Sequence, residues 1–218
     1  MTIAKQRVRE PEILDQASDE LAAQNLADIA RINRLTGARA RLLAEMRRFF
    51  PTHQSFCFLD VGAASGDFAS AVRRRFPQST SLCVDLQLRN LRRAPSPKLS
   101  ADAFSLPFRD ASVDVAHCSL FLHHFSEEEC RRIIAEMYRV CHRALIVQDL
   151  HRHWLSYYFL PATQPLLGWR QITVGDGMKS VAAGWRRNEL EEIFSGYPAR
   201  IRWHFPSFRY FITVPARC

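Results

Sequence analysis

The chain has 218 residues, of which 47% are hydrophobic and 24% are charged, and its formal net charge at pH 7 is +8. This is the composition of a globular protein with one well-buried domain and a further segment. It gives no sign of a membrane-spanning helix, since no apolar run approaches the ~20 residues that one needs, and the N-terminus has no apolar segment typical of a secretory signal. We therefore expect a cytoplasmic protein.

The cysteines and the basic residues allow two further expectations. The six cysteines form no C-x-x-C pair and three of them lie in apolar runs, so we expect reduced core residues rather than disulfides or zinc ligands. Much of the positive charge lies in residues 71–110, where eight Lys or Arg residues face three Asp or Glu residues. Solvated helix faces are the favoured interpretation, and a surface for nucleic acid is the alternative.

Residues 18–50 have the pattern of two helices. Ser18 can cap the first, whose opening turn is acidic, and apolar residues follow at helical spacing. Gly37 is expected to end the first helix and Pro51 the second. We predict that residues 1–50 form a helical N-terminal lid.

Residues 51–218 have the alternation of an α/β domain. Four short, mostly apolar runs are typical of strands: SFCFLDV (55–61), SLCVD (81–85), SVDVAHC (112–118) and ALIVQD (144–149). Helical stretches separate them, which indicates a parallel sheet covered on both faces. Ser126-x-x-Glu129 and Asn188-x-x-Glu191 are capping boxes, each predicting the start of a helix.

The C-terminal part predicts two further features. Residues 200–214 indicate two strands around Pro206, a hairpin at the edge of the sheet; arginines interleaved with aromatics could alternatively stack on bases. VGDGMKSV (174–181) is rich in turn residues and is predicted to be a loop within a substrate-side insertion at 150–185, with Asp176 as a polar contact.

FLDVGAASGDFASAV (58–72) predicts a strand, a glycine loop and a helix, which is where an open parallel sheet holds its ligand. The dinucleotide fingerprint does not fit, since its second and third glycines, counted from Gly62, would be Ala64 and Asp67. The carboxylate of Asp67, at the third position, would repel a pyrophosphate bound at the helix N-terminus. No Gly-Lys-Ser/Thr follows either, so a nucleoside ligand without phosphate fits better.

Three elements together resemble the class I S-adenosylmethionine-dependent methyltransferases: DVGAASG (60–66), Asp85 at the end of the second strand, and ADAFSLPF (101–108). The family's first motif is an acid, any residue, then Gly-x-Gly-x-Gly, and Ala64 replaces the middle glycine here. The resemblance implies an α/β fold with a Rossmann-like, doubly wound sheet of seven strands. The sheet would be mostly parallel, with a C-terminal antiparallel hairpin, and the cofactor would be S-adenosylmethionine.

The resemblance also implies how the cofactor is held. Asp85 would accept hydrogen bonds from the ribose hydroxyls, and Asp102 would accept one from the adenine amino group, with the N–H of Ala103 on a ring nitrogen. Arg34 would clamp the methionine carboxylate; a solvated helix residue is the alternative. The full expected set is Asp60, Gly62, Ala63, Gly66, Asp85, Leu86, Asp102, Ala103, Ser119 and Arg34.

The stretch HCSLFLHHF (117–125) helps to decide which class of molecule accepts the methyl group. It lacks the Asn/Asp-Pro-Pro-Tyr-like motif of enzymes that methylate the amino groups of adenine or cytosine. The chain also has no Pro-Cys pair, which would supply the nucleophile for methylation at carbon 5 of a base. It is similar instead to the small-molecule branch, which includes ubiquinone- and menaquinone-biosynthesis-like methyltransferases, and this implies a histidine pair at the rim of the acceptor pocket. The catalytic candidates are His123, His124 and Asp149, and the substrate-binding candidates are His151, Tyr157 and Asp176.

We therefore expect methyl transfer to a small aromatic, phenolic or quinone-like acceptor, mainly at oxygen. A cofactor-binding partner protein without catalysis and an RNA methyltransferase are the alternatives, with nucleic acid disfavoured. No metal is expected, since no histidine pair has i, i+4 spacing on a helix. The identity of the acceptor and the oligomeric state stay open.

Overall fold

The computed structural model describes residues 6–216, apart from the side chain of Asp15, so the ends of the predicted lid and core and Cys218 lie outside the described residues. Seven strands form one sheet in the order β3-β2-β1-β4-β5-β7-β6. The strands are β1 (Cys57–Val61), β2 (Thr80–Asp85), β3 (Lys98–Ser100), β4 (Val113–Ser119), β5 (Cys141–Leu150), β6 (Arg200–His204) and β7 (Arg209–Pro215). The helices are α1 (Asp19–Leu35), α2 (Ala38–Met46), α3 (Asp67–Arg75), α4 (Glu127–Val140), α5 (Trp154–Leu167), α6 (Gln171–Ala183) and α7 (Arg187–Ile193).

The sheet has the predicted doubly wound topology. Strands β1 to β5 pair in parallel, and β7 runs antiparallel between β5 and β6. The chain moves outward from β1 to β3 and then returns to β4 on the other side of β1, which places the topological switch point between β1 and β4. The predicted fold class and the C-terminal hairpin are confirmed, whereas the exposed three-residue β3 has too little apolar pattern to be predicted.

Each face of the sheet carries its own hydrophobic core, since successive residues of a strand point to opposite faces. In β1, Phe58 packs with α2 and α3, whereas Leu59 packs with α4 and α7. Both side chains are fully buried. Near-continuous apolar strands were therefore the correct signal for a sheet covered on both sides.

The predicted N-terminal helices are present, with one end in a different place. The Ser18 hydroxyl accepts the N–H of Leu21 at 3.3 Å and caps α1, and Gly37 separates α1 from α2. Helix α2 ends at Met46 rather than at Pro51, because residues 47–49 form a turn. The boundary of the lid at residue 50 stays a prediction. No helix within residues 6–216 is long and apolar enough to cross a bilayer.

The prediction of a turn-rich loop at residues 174–181 is wrong, because the whole stretch lies in α6. One of its two glycines, Gly177, serves packing. A Cβ added at Gly177 would lie 2.4 Å from Cδ1 of Leu160, so this glycine lets α5 approach α6 closely. Glycine marks both turns and close helix contacts, and the sequence pattern alone did not separate the two.

One of the two predicted capping boxes is also wrong. Ser126 and Glu129 cap α4 reciprocally, as predicted. Helix α7, however, begins at Arg187, and its Glu189 carboxylate accepts the N–H of Arg186 at 2.7 Å. The same carboxylate binds the buried guanidinium of Arg152 at 2.6 Å, which fixes the start of the helix ahead of Asn188.

We predict that Gly175→Ala raises the free energy of unfolding by about 0.5–1 kcal/mol, because alanine loses less backbone entropy in a helix interior. The added Cβ would lie 3.7 Å from Ile13, an ordinary contact. The matched variant Gly177→Ala should gain nothing or lose stability, because its Cβ meets Leu160. Urea unfolding of both variants measures this, and a loss of stability in Gly175→Ala would contradict it.

Candidate active site

A cavity of about 540 Å³ opens beyond the carboxyl ends of β1, β2 and β4, at the switch point of the sheet. Parallel α/β sheets hold ligands at this place, and the volume is in the range of small-molecule sites. The predicted site residues that line the cavity are Asp60, Gly62, Ala63, Asp85, Leu86, Asp102, Ala103, Ser119, His123, His124 and Asp176.

The glycine loop after β1 has an unusual backbone. Gly62, Ala64 and Gly66 have φ angles of 65°, 46° and 67°, which are left-handed. A Cβ at Gly66 would lie 2.5 Å from Pro95 Cδ and 3.0 Å from Ala94 Cα, so this position requires glycine both for its angle and for the space. Ala64 adopts the same kind of angle with a side chain present, which is strained.

A series of buried polar groups connects the strands on either side of the glycine loop. One oxygen of Asp60 lies 2.8 Å from Nδ1 of His117, and the other accepts the N–H of Ala69 in α3 at 3.3 Å. The second ring nitrogen of His117 lies 3.0 Å from Nε2 of Gln148. The carboxylate therefore ties β1 to both β4 and the helix that follows the loop.

Two further predicted acids, Asp85 and Asp102, line the same cavity. Asp85 accepts the N–H groups of Ala64 at 3.1 Å and of Gln87 at 2.9 Å, so it is fixed to the glycine loop. Burial raises the pKa of Asp85, although these hydrogen bonds oppose the shift. Asp102 accepts the N–H of Phe104 at 2.9 Å. Both carboxylates face the cavity.

Asp149, at the end of β5, holds His123 against the cavity. It is fully buried and accepts hydrogen bonds from the backbone N–H of His123 at 3.0 Å and from the backbone N–H of Leu150 at 2.7 Å. Its carboxylate also lies 2.7 Å from Nδ1 of the His123 ring. His123 lines the cavity, and its Nε2 lies 3.8 Å from a carboxylate oxygen of Glu12. This nitrogen is buried and makes no hydrogen bond to the described residues.

The charges of these groups depend on one another. Burial alone would lower the pKa of His123, but the carboxylates of Asp149 and Glu12 outweigh it and raise the pKa to about 9. Burial alone would raise the pKa of Asp149, but His123 holds it below its usual range. In the absence of an acceptor, His123 is thus an imidazolium between two carboxylates at neutral pH.

Glu12 was not among the predicted site residues. It lies in an N-terminal segment, residues 6–16, of which Glu12 and Leu14 line the cavity. The N–H groups of Ile13 and Leu14 in this segment donate to the carboxylate of Asp176 at 2.7 and 3.0 Å. Asp176 therefore lines the cavity with both of its oxygens already bonded to backbone.

Arg7 anchors the same segment at its other end. Its guanidinium lies 3.4 Å from the centroid of the Trp185 ring and donates to the carbonyls of His123 and Phe125 at 3.0 and 3.1 Å. The segment is therefore held mainly by polar and cation–π contacts.

Glu12, His123 and His124 also bring ligand atoms within 4.8 Å of one another, close enough to hold a cation. The Ser180 hydroxyl donates to Glu12, which itself faces His123, so the described contacts already give this carboxylate two partners. His151 and His153 are not part of this group. Their rings stack on each other with centroids 5.1 Å apart.

Arg209 on β7 is a second residue that the sequence did not single out. Its guanidinium is fully buried, lines the cavity, and donates to Asn33 at 2.6 Å and to Ser119 at 3.3 Å. It forms no ion pair with a described carboxylate, and its Nε has no hydrogen-bond partner among the described residues. Burial lowers its pKa to about 10, so it stays charged at neutral pH.

Five predicted residues are outside the cavity wall: Asp149, which is fully buried and bonds His123, and four others. Arg34 is exposed on α1, and Gly66 lies behind the glycine loop. His151 packs its ring on Tyr210 with centroids 4.9 Å apart, and Tyr157 is on a part of α5 that does not line the cavity. The aromatic wall is instead formed by Phe104, Phe121, Phe125, Phe159 and Phe208.

Comparisons with known proteins agree with this geometry. Residues 59–144, less than half of the chain, match the family model of a methyltransferase domain. A search of curated proteins finds no match.

Solved structures with the same fold include a candidate O-methyltransferase from Nostoc punctiforme (17% identity, TM-score 0.58), an S-adenosylmethionine-dependent methyltransferase from Aquifex aeolicus (15%, 0.58) and a magnesium protoporphyrin IX methyltransferase from Synechocystis (13%, 0.58). The matches cover 81%, 86% and 87% of this chain and 55%, 97% and 84% of those chains. This chain thus spans about half the length of the Nostoc protein. Residues 59–144 thus match a methyltransferase domain, and the chain has the fold of solved S-adenosylmethionine-dependent methyltransferases.

We predict that Ala64→Gly raises the free energy of unfolding by about 0.5–1 kcal/mol, because glycine adopts the left-handed angle without strain. Thermal unfolding of the variant measures this. The adjacent change Ala63→Gly, at a residue without a left-handed angle, should lower stability instead. Equal effects of the two changes would contradict the assignment of strain to Ala64.

Proposed function

We propose that the protein transfers the methyl group of S-adenosylmethionine to an oxygen atom of a small, planar aromatic acceptor. The observation that carries the proposal is that a single cavity joins the cofactor motifs to an aromatic wall and to the ring of His123. The relatives of the same fold support a small-molecule acceptor, since one of them acts on magnesium protoporphyrin IX.

The residues present fit the cofactor. Asp85 lies beside the glycine loop with both oxygens near the cavity, and we assign it the ribose hydroxyls. We assign the adenine to the pocket at Asp102 and Ala103, where the aromatic ring of Phe104 also lines the wall. When bound, the cofactor supplies an electrophilic methyl group on a sulfonium.

We assign the methionine carboxylate to Arg209 rather than to Arg34. Arg209 is a buried cation on the cavity wall without an ion-paired carboxylate among the described residues, whereas Arg34 is exposed outside the wall. Its neighbours place it near the glycine loop, because Asn33 bonds both Arg209 and Asp67, the first residue of α3. A carboxylate would compensate the buried charge and engage the unpartnered Nε.

Phe121 and Phe125, whose ring centroids are 5.0 Å apart, are assigned to the acceptor together with His123. The aromatic rings would hold a planar acceptor with its oxygen toward Nε2 of His123. Asp149 positions the ring by binding Nδ1, and a neutral His123 then takes the acceptor's proton at Nε2. A base with a pKa near 9 is well matched to a phenol, whose usual pKa is about 10.

A small molecule is favoured over RNA because several arginines of the predicted basic region already have partners within the protein. Arg73 donates to the carbonyl of Ser96, Arg89 donates to the carbonyl of Ala17, and Arg92 pairs with Asp19. Asp19 offsets the charge of Arg92, and the other two guanidinium groups are oriented toward backbone carbonyls of the protein rather than toward phosphates.

Calorimetric titration with S-adenosylhomocysteine and with 5′-methylthioadenosine, which lacks the amino-acid part, tests the cofactor assignments. Asp85→Ala should lower the affinity for both ligands tenfold or more, because both carry the ribose. Arg209→Met should lower the affinity for S-adenosylhomocysteine by a similar factor and leave that for 5′-methylthioadenosine unchanged. Arg34→Ala should change neither affinity. Thermal unfolding confirms that each variant is folded. Equal loss of both ligands in Arg209→Met would contradict the carboxylate assignment, and no binding by the parent protein would contradict the function.

For a phenolic acceptor found by methyl transfer, kcat/KM should rise about tenfold per pH unit and level off near pH 9, because His123 must lose its proton before it can act as a base. In His123→Gln, the rate should fall by about 10²–10⁴ and the levelling near pH 9 should disappear. His124→Gln is the matched control and should keep the profile. An unchanged profile in His123→Gln would contradict the role of this residue.

A further inference from the structure

The charged side chains that line the cavity are mostly of one sign. Six of the lining residues are acidic, whereas Arg209 is the only Lys or Arg among the described residues that lines it. The acidic residues are Glu12, Asp60, Asp67, Asp85, Asp102 and Asp176. Because Arg209 is assigned to the methionine carboxylate of the cofactor, the described wall offers no second arginine or lysine to an anionic group on the acceptor.

Glu12 is the acidic residue of the wall that lies next to the proposed base. Its side chain is only 12% exposed, and one of its carboxylate oxygens lies 3.8 Å from Nε2 of His123 and accepts the hydroxyl of Ser180. The other oxygen makes no hydrogen bond to a described residue. Burial would raise the pKa of Glu12, but the neighbouring rings of His123 and His124 hold it below its usual range, so the carboxylate is ionised at neutral pH.

The charge balance around Glu12 changes when His123 acts as a base. In the resting protein the imidazolium lies between the carboxylates of Glu12 and Asp149. A neutral ring, which is the form that can take a proton, no longer provides either carboxylate with a positive charge. Asp149 then keeps two backbone N–H donors, whereas Glu12 keeps only the Ser180 hydroxyl among the described hydrogen bonds. A buried carboxylate in this state is destabilised unless another positive group compensates it.

We propose that the acceptor is a hydroxylated aromatic amine whose ammonium group pairs with Glu12. This inference rests on the proposed function, because it takes His123 as the base for the reacting hydroxyl. In the complex, the hydroxyl would lie at Nε2 of His123 and the ammonium at the carboxylate of Glu12, where it replaces the positive charge that the ring has lost. Glu12 is thus a specificity-determining residue, which favours a cationic acceptor and repels one that carries a carboxylate.

The distance between His123 and Glu12 favours a compact acceptor. Nε2 and the nearer carboxylate oxygen are only 3.8 Å apart, so a hydroxyl and an ammonium that bind them at hydrogen-bond distance lie close together on the acceptor. An aminomethyl group meta to the hydroxyl of a phenol has a spacing of this kind. Phe121 and Phe125, which are already assigned to the acceptor, would contact the ring that carries both groups.

Calorimetric titration at pH 8 with three phenols of similar size tests the proposal. These are 3-hydroxybenzylamine, which is cationic, 3-ethylphenol, which is neutral, and 3-hydroxybenzoate, which is anionic. Each is titrated in the presence and in the absence of S-adenosylhomocysteine, so the charge selectivity is measured whether or not the cofactor binds. The parent protein should bind the amine at least tenfold more tightly than 3-ethylphenol, and the benzoate at least tenfold more weakly.

Glu12→Gln removes the charge and keeps the size of the side chain. It should lower the affinity for 3-hydroxybenzylamine at least tenfold, raise the affinity for 3-hydroxybenzoate, and leave the affinity for 3-ethylphenol unchanged. The neutral phenol therefore reports whether the cavity of the variant is intact. Glu10→Gln is the matched control, since Glu10 belongs to the same N-terminal segment but is exposed and outside the cavity wall, and it should bind all three phenols as the parent does.

Several outcomes would overturn the proposal: no binding of the amine, equal or tighter binding of the other two phenols, or the parent's selectivity in Glu12→Gln. Loss of all three ligands in a folded Glu12→Gln variant would overturn it as well, since it would show that Glu12 shapes the cavity rather than selects charge. Methyl transfer is measured separately, from the mass of the O-methylated product. Charge-selective binding without methyl transfer would contradict the proposed function alone, whereas methyl transfer to 3-ethylphenol with charge-independent binding would contradict this inference alone.

Discussion

The buried carboxylate of Asp149 is the constraint on which the candidate site depends. A charge with no access to water must find its hydrogen-bond donors inside the protein, and Asp149 finds them in the backbone and ring of His123 and in the next residue of its own chain. The connection between β4 and α4 is therefore fixed to the end of β5. The orientation of the ring, its charge and the direction of its free nitrogen all follow from this contact.

A similar arrangement supports the other half of the cavity. Asp60, His117 and Gln148 form a buried polar chain across β1, β4 and β5, directly beneath the glycine loop. Burial of Asp60 and His117 is tolerated because they bond each other, whereas Oε1 of Gln148 has no partner among the described residues. The sheet thus presents two fixed polar groups at the switch point, one that positions the loop and one that positions the histidine.

The sequence predicted the features that depend on local pattern. Apolar runs located β1, β2, β4 and β5, and the motifs that contain Asp60, Asp85 and Asp102 pointed to residues that line one cavity. It did not predict contacts between distant segments. Glu12 and Arg209 lie 111 and 86 residues from His123 along the chain, and only the packing of the N-terminal segment and the β6–β7 hairpin brings them to the cavity. Gly177 of α6 was misassigned for the same reason, because its close neighbour Leu160 is on another helix.

The polar anchoring of the N-terminal segment has a consequence for access to the cavity. The segment is held by the Asp176 carboxylate on two backbone amides and by the Arg7 guanidinium on Trp185, rather than by a large apolar face. Asp176 is buried and bonds neutral backbone amides, and Arg7 contacts a buried ring and backbone carbonyls, so salt screens these contacts only weakly. The side of the cavity that Glu12 and Leu14 line therefore depends for its closure on one carboxylate and one guanidinium.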